Sequence, residues 1–481
     1  MIAELARAGG PVAALGLAFL ILGRDRTSRI GGLAAWAAGS ATLAIWLAPS
    51  GHHRAIAAAA VVGVIAAALL AWAFVRVPWL LAVAVLACAP ARIPVSVGST
   101  KANLLLPMYL VVAAAAIALA WELYGEERRN RELGRVAWPV ALFVGWSGVT
   151  FLWSIDRSEG AKYLLFFVLP FALLAVSLAR LSWRIGWIKG LYAQLAAMAF
   201  VFAAIGGWQY LTRNVFWNPK VIVDNAYAPS SWFYRVNSVF YDPSIYGRFL
   251  VVGILTSLVL VLYSRGAVAW AALALATGMW IGLVPSFSQS SFVALAVGIV
   301  ATLIVLWRRR AIVPLAVAAA ALVAVTLGVP QVRHRMLGKA GLSHITSGRS
   351  NLVSNGVKLA LHHPVIGVGA GGFKRGYADL THIPGKEPQA AASHDSAITV
   401  AAETGFPGLV LLVWLVITGF VLTFRATRSS QRATRNAQFA FGLALLAIVV
   451  HSLFYNALLE DPLFWALLAL SVVAAREGEP A

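Results

Sequence analysis

Residues 406–424 read FPGLVLLVWLVITGFVLTF, an apolar run without a charged residue. A helix needs about 17–25 predominantly apolar residues to cross the hydrocarbon core of a bilayer, so this run predicts a membrane span. The rest of the chain has the same character, since 60% of its 481 residues are hydrophobic and 12% are charged. Soluble domains average about 45–50% apolar and about 25% charged residues. The composition excludes a soluble globular protein and predicts an all-α, polytopic transmembrane helix bundle.

Apolar runs that are long enough, or nearly long enough, to cross a bilayer recur fifteen times along the chain. They lie near residues 6–23, 30–49, 55–75, 77–91, 103–121, 136–154, 161–179, 187–209, 246–264, 267–284, 290–307, 311–329, 406–424, 436–457 and 461–475. Two long loops between them divide the chain into five predicted parts. These are N-terminal spans (1–209), a first outer loop (210–245), central spans (246–330), a large outer loop (331–405) and C-terminal spans (406–481).

The basic residues are distributed unevenly between alternate connections. If the first connection, with Arg24, Arg26 and Arg29, faces the cytoplasm, that side collects 20 basic residues and the short opposite connections collect six. Cytoplasmic loops of membrane proteins carry such an excess of lysine and arginine. We therefore expect a multi-pass membrane protein with the N-terminus outside and the C-terminus in the cytoplasm. The net charge of +20 follows from this bias and requires no nucleic acid partner.

The two outer loops, 210–245 and 331–405, are longer than most connections in compact proteins, and such loops are usually functional. Together with Arg248 they hold the other 12 basic residues against six acidic ones. Long loops translocate regardless of their charge, which is one explanation of this excess. The other explanation is that the loops bind an external anion.

The large loop contains a predicted amphipathic helix in the segment SGRSNLVSNGVKLALHHP, residues 347–364. Val353, Val357 and Leu361 recur at i, i+4 and i+8, and Ser350 is the predicted N-cap. The histidines and proline at 362–364 end the pattern. We expect this helix to lie outside the bilayer or on its surface.

A glycine-rich segment, GVGAGGF, follows at residues 367–373, where Gly367, Gly369 and Gly372 spell G-x-G-x-x-G. A dinucleotide site needs a βαβ unit around this motif, and none is predicted here. We interpret the glycines as a turn with positive φ angles, whose backbone N–H groups are candidates for phosphate binding.

The end of the large loop, SHDSAITVAAETGFPG at residues 393–408, predicts a short helix that begins near Ser393 and stops at Gly405. His394 is expected in its first turn, where the helix dipole favours a neutral, proton-accepting imidazole. A surface or capping role is the alternative for His394. Neighbouring residues on a helix do not face each other, so Asp395 is interpreted as an acid at the helix start.

The first outer loop ends in SSWFYRVNSVFYDPSIYGRF, residues 230–249. Its aromatic residues are typical of a membrane interface. Arg235 and Arg248 flank the Asp242-Pro243 turn at headgroup depth, where a guanidinium can bind phosphate oxygens through two hydrogen bonds. A structural ion pair between Arg248 and Asp242 is the alternative to a ligand role.

These residues suit the transfer of a sugar from a lipid diphosphate, which requires cations at the leaving group and a base for the acceptor hydroxyl. The sequence has no D-x-D pair for a Mg²⁺-dependent reaction, no Walker A motif and no G-x-S-x-G motif. The spacing of His362, His363 and His394 matches no common zinc motif, and Cys88 is a single cysteine. We therefore expect neither a metal nor a cofactor.

The segments GRSNLVSNGVKLALHHPVIGVGAGGF and SHDSAITVAAETGFPGLVLLVWLV resemble the signature region of the O-antigen ligase and polymerase superfamily. The resemblance covers about residues 347–412, and RVNSVFYDPSIYGRFL resembles the family's second signature. Members are bacterial membrane glycosyltransferases of the GT-C type that act at the outer face of the inner membrane on glycans carried by undecaprenyl diphosphate.

The resemblance implies a metal-independent, inverting transfer of a preassembled glycan, as in lipopolysaccharide biosynthesis, from undecaprenyl diphosphate to an acceptor hydroxyl on a lipid or glycan. His394 would be the base, and Arg235 and Arg349 would hold the diphosphate. Charge and location add further candidates for diphosphate binding, namely Arg248, Lys374 and Arg375. The supporting positions are Asp242, Asp395, Glu403, Gly367 and Gly369.

The chain departs from the family pattern at two positions. His394 is followed by Asp395 instead of the usual asparagine, and Gln289 stands where many members have an arginine. A ligase and a polymerase that extends lipid-linked repeat units remain open, and so does transfer onto a protein hydroxyl. A transporter or flippase for lipid-linked glycans is the alternative of another class. It is less favoured because the span interiors are nearly free of charge and no internal repeat is visible.

Overall fold

The architecture is described from a computed structural model of the 481-residue chain. The structure describes residues 2–48, 53–97, 100–125, 132–215, 234–313, 316, 349–382, 392–425 and 431–477.

Helices dominate the described parts of the chain. The N-terminal helices are α1 (Ile2–Leu22), α2 (Arg26–Leu47), α3 (His53–Arg76), α4 (Leu80–Cys88), α5 (Leu106–Gly125), α6 (Ala137–Thr150), α7 (Arg157–Tyr163), α8 (Leu169–Leu178) and α9 (Ile185–Thr212). The later helices are α10 (Pro243–Tyr263), α11 (Ala267–Leu283), α12 (Gln289–Trp307), α13 (Arg349–His362), α14 (Phe373–Thr381), α15 (Ser396–Arg425), α16 (Arg432–Ser452) and α17 (Pro462–Glu477).

Eleven helical segments among the described residues are long and apolar enough to cross a membrane. Two shorter apolar helices, Arg7–Leu22 and Pro462–Arg476, match the first and last predicted spans. The predicted polytopic helix bundle is thus confirmed. The predicted span 77–91 contains only the nine-residue α4, because Pro78 and Pro90 bound its helical part. Most of the predicted span 311–329 lies outside the described residues.

Among the described residues, a small hairpin is the exception to the helical architecture. Strand β1 (Ile93–Val97) pairs antiparallel with strand β2 (Thr100–Leu104) in the connection between α4 and α5. Hydropathy did not predict this hairpin, because the segment was treated as a short connection between two spans.

Helices α1 and α2 pack closely through small residues. A Cβ atom at Gly32 would lie 2.6 Å from the backbone of Leu20, and one at Gly39 would lie 2.4 Å from the backbone of Gly9. In a membrane, helix association depends on such close backbone approach, because lipid supplies no hydrophobic driving force between the helices.

One end of the bundle, which we call the basic face, holds a buried ion-pair network. Arg29 pairs with Glu132, and Arg180 pairs with the same carboxylate at 2.7 Å. The guanidinium of Arg476 donates a hydrogen bond to the backbone carbonyl of Ala179 at 2.9 Å. The charge distribution predicted that these connections share one side, and the contacts bring them together. That this side faces the cytoplasm stays a prediction.

Candidate functional site

The opposite end of the bundle, which we call the loop end, gathers the segments that the sequence singled out. Residues 234–242 run beside the start of α12, where the N–H of Val236 donates to the carbonyl of Pro285 at 2.9 Å. The N–H of Leu458, from the connection between α16 and α17, contacts the hydroxyl of Ser396 at 3.4 Å. The loop end therefore joins elements that are far apart in sequence.

Arg235 lies next to the N-terminus of α12. Its Nε donates to the carbonyl of Ser286 at 3.4 Å, and its side chain is half-buried. Ser288 caps α12 by accepting the N–H of Ser291 at 3.3 Å, and the following Gln289 is exposed. A guanidinium thus lies close to the position where Gln289 replaces the arginine of many relatives.

Asp242 caps α10, since its Oδ1 accepts the N–H of Ser244 at 2.6 Å. The alternative of an ion pair between Arg248 and Asp242 is wrong. Arg248 pairs instead with Asp461, with Nη2 and Oδ2 at 2.9 Å, and its Nη1 donates to the carbonyl of Ala457 at 3.4 Å. The partner differs because the cap fixes the Asp242 carboxylate over the first turn of α10.

A second pair accompanies the first. Arg92 and Glu460 approach to 3.5 Å, and the four side chains line a small cavity with space for about 20 Å³. A space of that size holds about one water molecule. Two arginines and two carboxylates cancel in charge, so the positive charge of Arg248 is already compensated by Asp461. Burial raises the pKa of Glu460, and the charge of Arg92 opposes this shift.

Sequence reasoning missed this cluster. Glu460 and Asp461 were absorbed into the start of the last predicted span, and Arg92 was counted only as one of the basic residues of short connections. Two adjacent acids directly before Pro462 were the available signal, because unpaired carboxylates are costly at the edge of a membrane span.

His451 is another buried residue that sequence reasoning missed. Its Nε2 lies 3.0 Å from the hydroxyl of Ser290 and 3.0 Å from the carbonyl of Ser244. The imidazole therefore links α16 to the N-termini of α10 and α12. By holding these two helix ends together, His451 stabilises the segment that contains Arg235.

The predicted helix of the large loop is present as α13, which begins at Arg349 and ends at His362 as expected. Ser350 is inside the helix, so its prediction as N-cap is wrong. Of the predicted apolar stripe, Val357 is 41% and Leu361 is 60% exposed. Leu352, Leu359 and Ala360 form the buried face instead.

The buried face of α13 is decided by its neighbours. Leu352 and Leu359 pack in a small core with Phe373 of α14 and Ala402 of α15. The exposed apolar residues of α13 continue in Val365, which is 64% exposed. An exposed apolar face next to membrane-spanning helices is typical of a helix at the bilayer surface.

The glycine-rich segment is a turn that packs against α15. Gly367 and Gly369 have φ angles of +64° and +87°, as the sequence predicted. For Gly372 the expectation is wrong, since its φ is −80° and the third positive φ, +72°, belongs to Gly371. The N–H groups of Val368 and Gly369 donate to the carbonyls of Ala402 and Glu403 at 2.9 and 2.8 Å. These two donors are engaged by the protein itself, which leaves them unsuited to a phosphate.

Glu403 is buried beneath this turn. Its Oε1 accepts the N–H of Phe373 at 3.2 Å, and its carbonyl accepts the N–H of Gly369. Ser154, at the end of the α6 region, donates its hydroxyl to the carbonyl of Ala370 at 2.8 Å. The turn is thus clamped between α15 and the transmembrane bundle, and Glu403 has a structural role in this clamp.

Lys374 and Arg375 open α14 beside the turn. Lys374 is half-buried, and Arg375 is exposed and donates to the carbonyl of Ile155 at 2.9 Å. Arg349 is the first residue of α13. The structure therefore places these three basic residues on the external helices, while Arg235 and Arg248 belong to the bundle.

His394 lies before α15 and not in its first turn. The helix begins at Ser396, and the Oδ1 of Asp395 accepts the N–H groups of Ala397 and Ile398 at 2.8 and 3.1 Å. Asp395 is thus the N-cap, which confirms its interpretation as the acid at the helix start. The expectation that the helix starts near Ser393 is wrong, because a cap residue has non-helical backbone angles.

The backbone of His394 has a positive φ of +62°. Residues other than glycine adopt this conformation uncommonly, and such residues cluster at functional sites. Here the Ser393 hydroxyl donates to the carbonyl of Asp395 at 2.6 Å and contacts the Thr399 hydroxyl at 2.9 Å. These bonds hold His394 at the tip of a tight turn, with its side chain half-buried.

Asp395 carries its charge in a partly buried position. Burial raises the pKa of its carboxyl, and the N–H groups of Ile398 and Ala397 oppose this shift. Helix α15 then bends at Gly405, with φ of +71° and ψ of 179°, before Pro407. This break confirms the predicted end of the short helix and the start of the span at residue 406.

A comparison with known protein families finds a match in the second half of the chain. Residues 271–413 match the family model described as O-antigen ligase. The matched region runs from α11 through the external helices to residue 413, past the bend of α15, and it includes the turn of His394. No curated protein is significantly similar to the chain. The match supports the assignment of this multi-pass membrane protein to the O-antigen ligase superfamily.

Proposed function

We propose that the protein is a membrane glycosyltransferase that transfers a preassembled glycan from undecaprenyl diphosphate to an acceptor hydroxyl. The observation that carries this proposal is the strained turn of His394 inside the region that matches the O-antigen ligase family. His394 lies two residues from Ser396, which contacts the same 457–461 segment that binds Arg248.

In the proposed mechanism His394 accepts the proton of the acceptor hydroxyl as this oxygen attacks the anomeric carbon. The bond from that carbon to the diphosphate oxygen breaks on the opposite face, so the configuration inverts. Arg235 binds the departing diphosphate through its planar guanidinium, which matches phosphate oxygens better than an ammonium group does. Arg349, Lys374 and Arg375 are further candidates for binding the anionic donor from the external helices.

Arg248 is not part of this proposed donor site. Its guanidinium is buried and paired with Asp461 at 2.9 Å, and removing a buried charge from its partner is costly. Its contact with the 457–461 segment supports instead a role in holding the loop end together.

Transfer to a terminal acceptor and extension of a lipid-linked chain use the same chemistry at this site. The nature of the acceptor therefore separates a ligase from a polymerase. Transport of a lipid-linked glycan is the third candidate, and it predicts lipid binding without any new glycosidic bond.

The test is glycan transfer by purified protein from a synthetic undecaprenyl-diphosphate oligosaccharide to candidate acceptors, with EDTA present. We expect His394→Ala to abolish transfer. The matched control is His382→Ala, because His382 is an exposed histidine that also has a positive φ, of +55°. Equal transfer by wild type and His394→Ala would remove His394 as the base.

Arg235→Lys tests the diphosphate contact. The ammonium group of lysine is a point charge and lacks the planar geometry with which a guanidinium binds two phosphate oxygens, so we expect a raised KM for the donor. The control is Arg157→Lys, at an exposed site of the loop end. An unchanged donor KM would exclude Arg235 from this role. No product from wild type with any acceptor, despite donor binding, would support transport instead.

A further inference from the structure

A large apolar cavity lies between helices α4, α9, α10, α16 and α17. Its volume is about 620 Å³, and its walls are predominantly apolar, with Leu86, Leu195 and Leu467 among the lining residues. Ligand pockets in proteins have volumes of about 300–1,000 Å³. The cavity is thus large enough for a ligand, and its walls suit a hydrocarbon.

The length of the cavity matches one leaflet of a bilayer. Along α10 it extends from Val252 to Ser264, which corresponds to about 18 Å at the rise of an α-helix. One leaflet contributes about half of a ~30 Å hydrocarbon core. A single lipid chain of ordinary length therefore fills the cavity from one end to the other.

Toward the loop end the cavity is bounded by polar residues. At Val252 and Leu463 it borders the small polar cavity lined by Arg92 and Arg248. That space has room for only about 20 Å³, and Asp461 holds the guanidinium of Arg248 across it. A lipid with its headgroup at the loop end would have to break this ion pair to enter.

The other end of the cavity opens at the basic face. Leu178, two residues before the Arg180 of the buried ion-pair network, lines it there together with Lys189, Ser264 and Asn436. Three exposed arginines directly adjoin lining residues in the sequence, namely Arg184, Arg265 and Arg432. Helices α9, α10, α11 and α16 contain no acidic residue.

Two helix dipoles add to this positive charge. Helices α9 and α16 both begin at this mouth, and the N-terminus of a helix favours anions. The positive-inside rule accounts for cations on this face. It does not account for an apolar cavity that opens among them.

We propose that this cavity binds one hydrocarbon chain of an anionic phospholipid from the leaflet at the basic face, with the lipid phosphate at Lys189. The bound lipid fills the space between α9, α10 and α16 and ties their ends together. This site is separate from the glycan-transfer site at the loop end.

The test is binding of dioleoylphosphatidylglycerol and dioleoylphosphatidylcholine to the purified full-length protein in detergent, measured by native mass spectrometry. We expect wild type to prefer phosphatidylglycerol. One basic residue near a membrane surface contributes about 1 kcal/mol to the binding of anionic lipid, so Lys189→Gln is expected to lower the phosphatidylglycerol affinity by about fivefold. The control is Arg76→Gln, which removes the same charge from α3, away from the cavity.

The cavity itself is tested by filling it. Ala440→Leu and, independently, Ala437→Leu place larger side chains on its wall, and we expect both to reduce retention of either lipid. The control is Ala68→Leu on the exposed side of α3. Melting temperatures of all variants report whether each one folds.

Three results would overturn the proposal. The first is equal phosphatidylglycerol affinity in Lys189→Gln and Arg76→Gln, and the second is unchanged retention in both folded cavity variants. The third is displacement of the phospholipid by undecaprenyl phosphate, if undecaprenyl phosphate binds wild type and Lys189→Gln with the same affinity. This last result would assign the cavity to an isoprenoid chain. None of these outcomes depends on glycan transfer, so failure here leaves the proposed function untouched.

Discussion

Replacement of Asp461 by asparagine tests whether Arg248 is a structural residue. Asp461 has two contacts, since its Oδ2 pairs with Arg248 at 2.9 Å and its Oδ1 accepts the N–H of Leu463 at 2.9 Å in the first turn of α17. Asparagine is as good an N-cap as aspartate. Asp461→Asn therefore removes the ion pair and keeps the cap, whereas Asp461→Ala removes both.

The expected loss follows from burial. Both side chains of the pair are only 6% exposed, and breaking a buried pair by removing one partner costs about 3–5 kcal/mol. Arg248 keeps its bond to the Ala457 carbonyl and the nearby charge of Glu460. We therefore expect Asp461→Asn to cost about 3 kcal/mol, at the low end, and Asp461→Ala to cost about 1 kcal/mol more.

The assay is reversible unfolding by SDS in mixed micelles, followed by circular dichroism. The control is Asp25→Asn, because Asp25 is an exposed N-cap that accepts the N–H of Ser28 at 2.8 Å; we expect it to change the free energy of unfolding by less than about 0.5 kcal/mol. The double variant Arg248→Met/Asp461→Asn is expected to recover part of the loss, since no unpaired charge remains. A loss in Asp461→Asn no larger than in Asp25→Asn would refute the reasoning.

Two further predictions concern the external helices. Gly369→Ala is expected to cost about 2 kcal/mol or more, because φ is +87° and a Cβ would lie 2.2 Å from the Cα of Ser154; the same unfolding assay checks this, and Gly63→Ala, which meets no atom within 4 Å, should not destabilise. Burial raises the pKa of the Asp395 carboxyl above 3.8, its ordinary value. The stabilisation by the protonated carboxyl is therefore fully present only below pH 3.8, and it is lost as the pH rises through the pKa of the folded protein. Asp395→Asn keeps the cap without the charge, and its stability relative to wild type should therefore increase from pH 4 to pH 7, whereas a difference independent of pH would contradict the shift. Asp395→Ala should lose about 1 kcal/mol from the missing cap.

Local sequence determined much of this protein. The spans follow from apolar runs, since an apolar segment that crosses the bilayer has no water for its backbone N–H and C=O groups and pairs them internally as a helix. The end of the short helix at Gly405 and the positive φ angles at Gly367 and Gly369 were equally predictable, because glycine is the residue that tolerates these angles. The segment of His394 was also identifiable from the sequence, because the family signature is a pattern of neighbouring residues.

Only the tertiary structure decided which residues pair with the charged side chains and which helices cover the apolar ones. Arg248 pairs with Asp461 and not with Asp242, which is nearer in the sequence. On α13, the stripe of Val357 and Leu361 is exposed while Leu359 is buried. Periodicity identifies an apolar residue but not the helix that covers it, and charge identifies an ion but not its counterion. Both depend on which distant segments the fold brings within contact, and here that was settled by the packing of α13, α14 and α15 and by the meeting of α10 with the connection before α17.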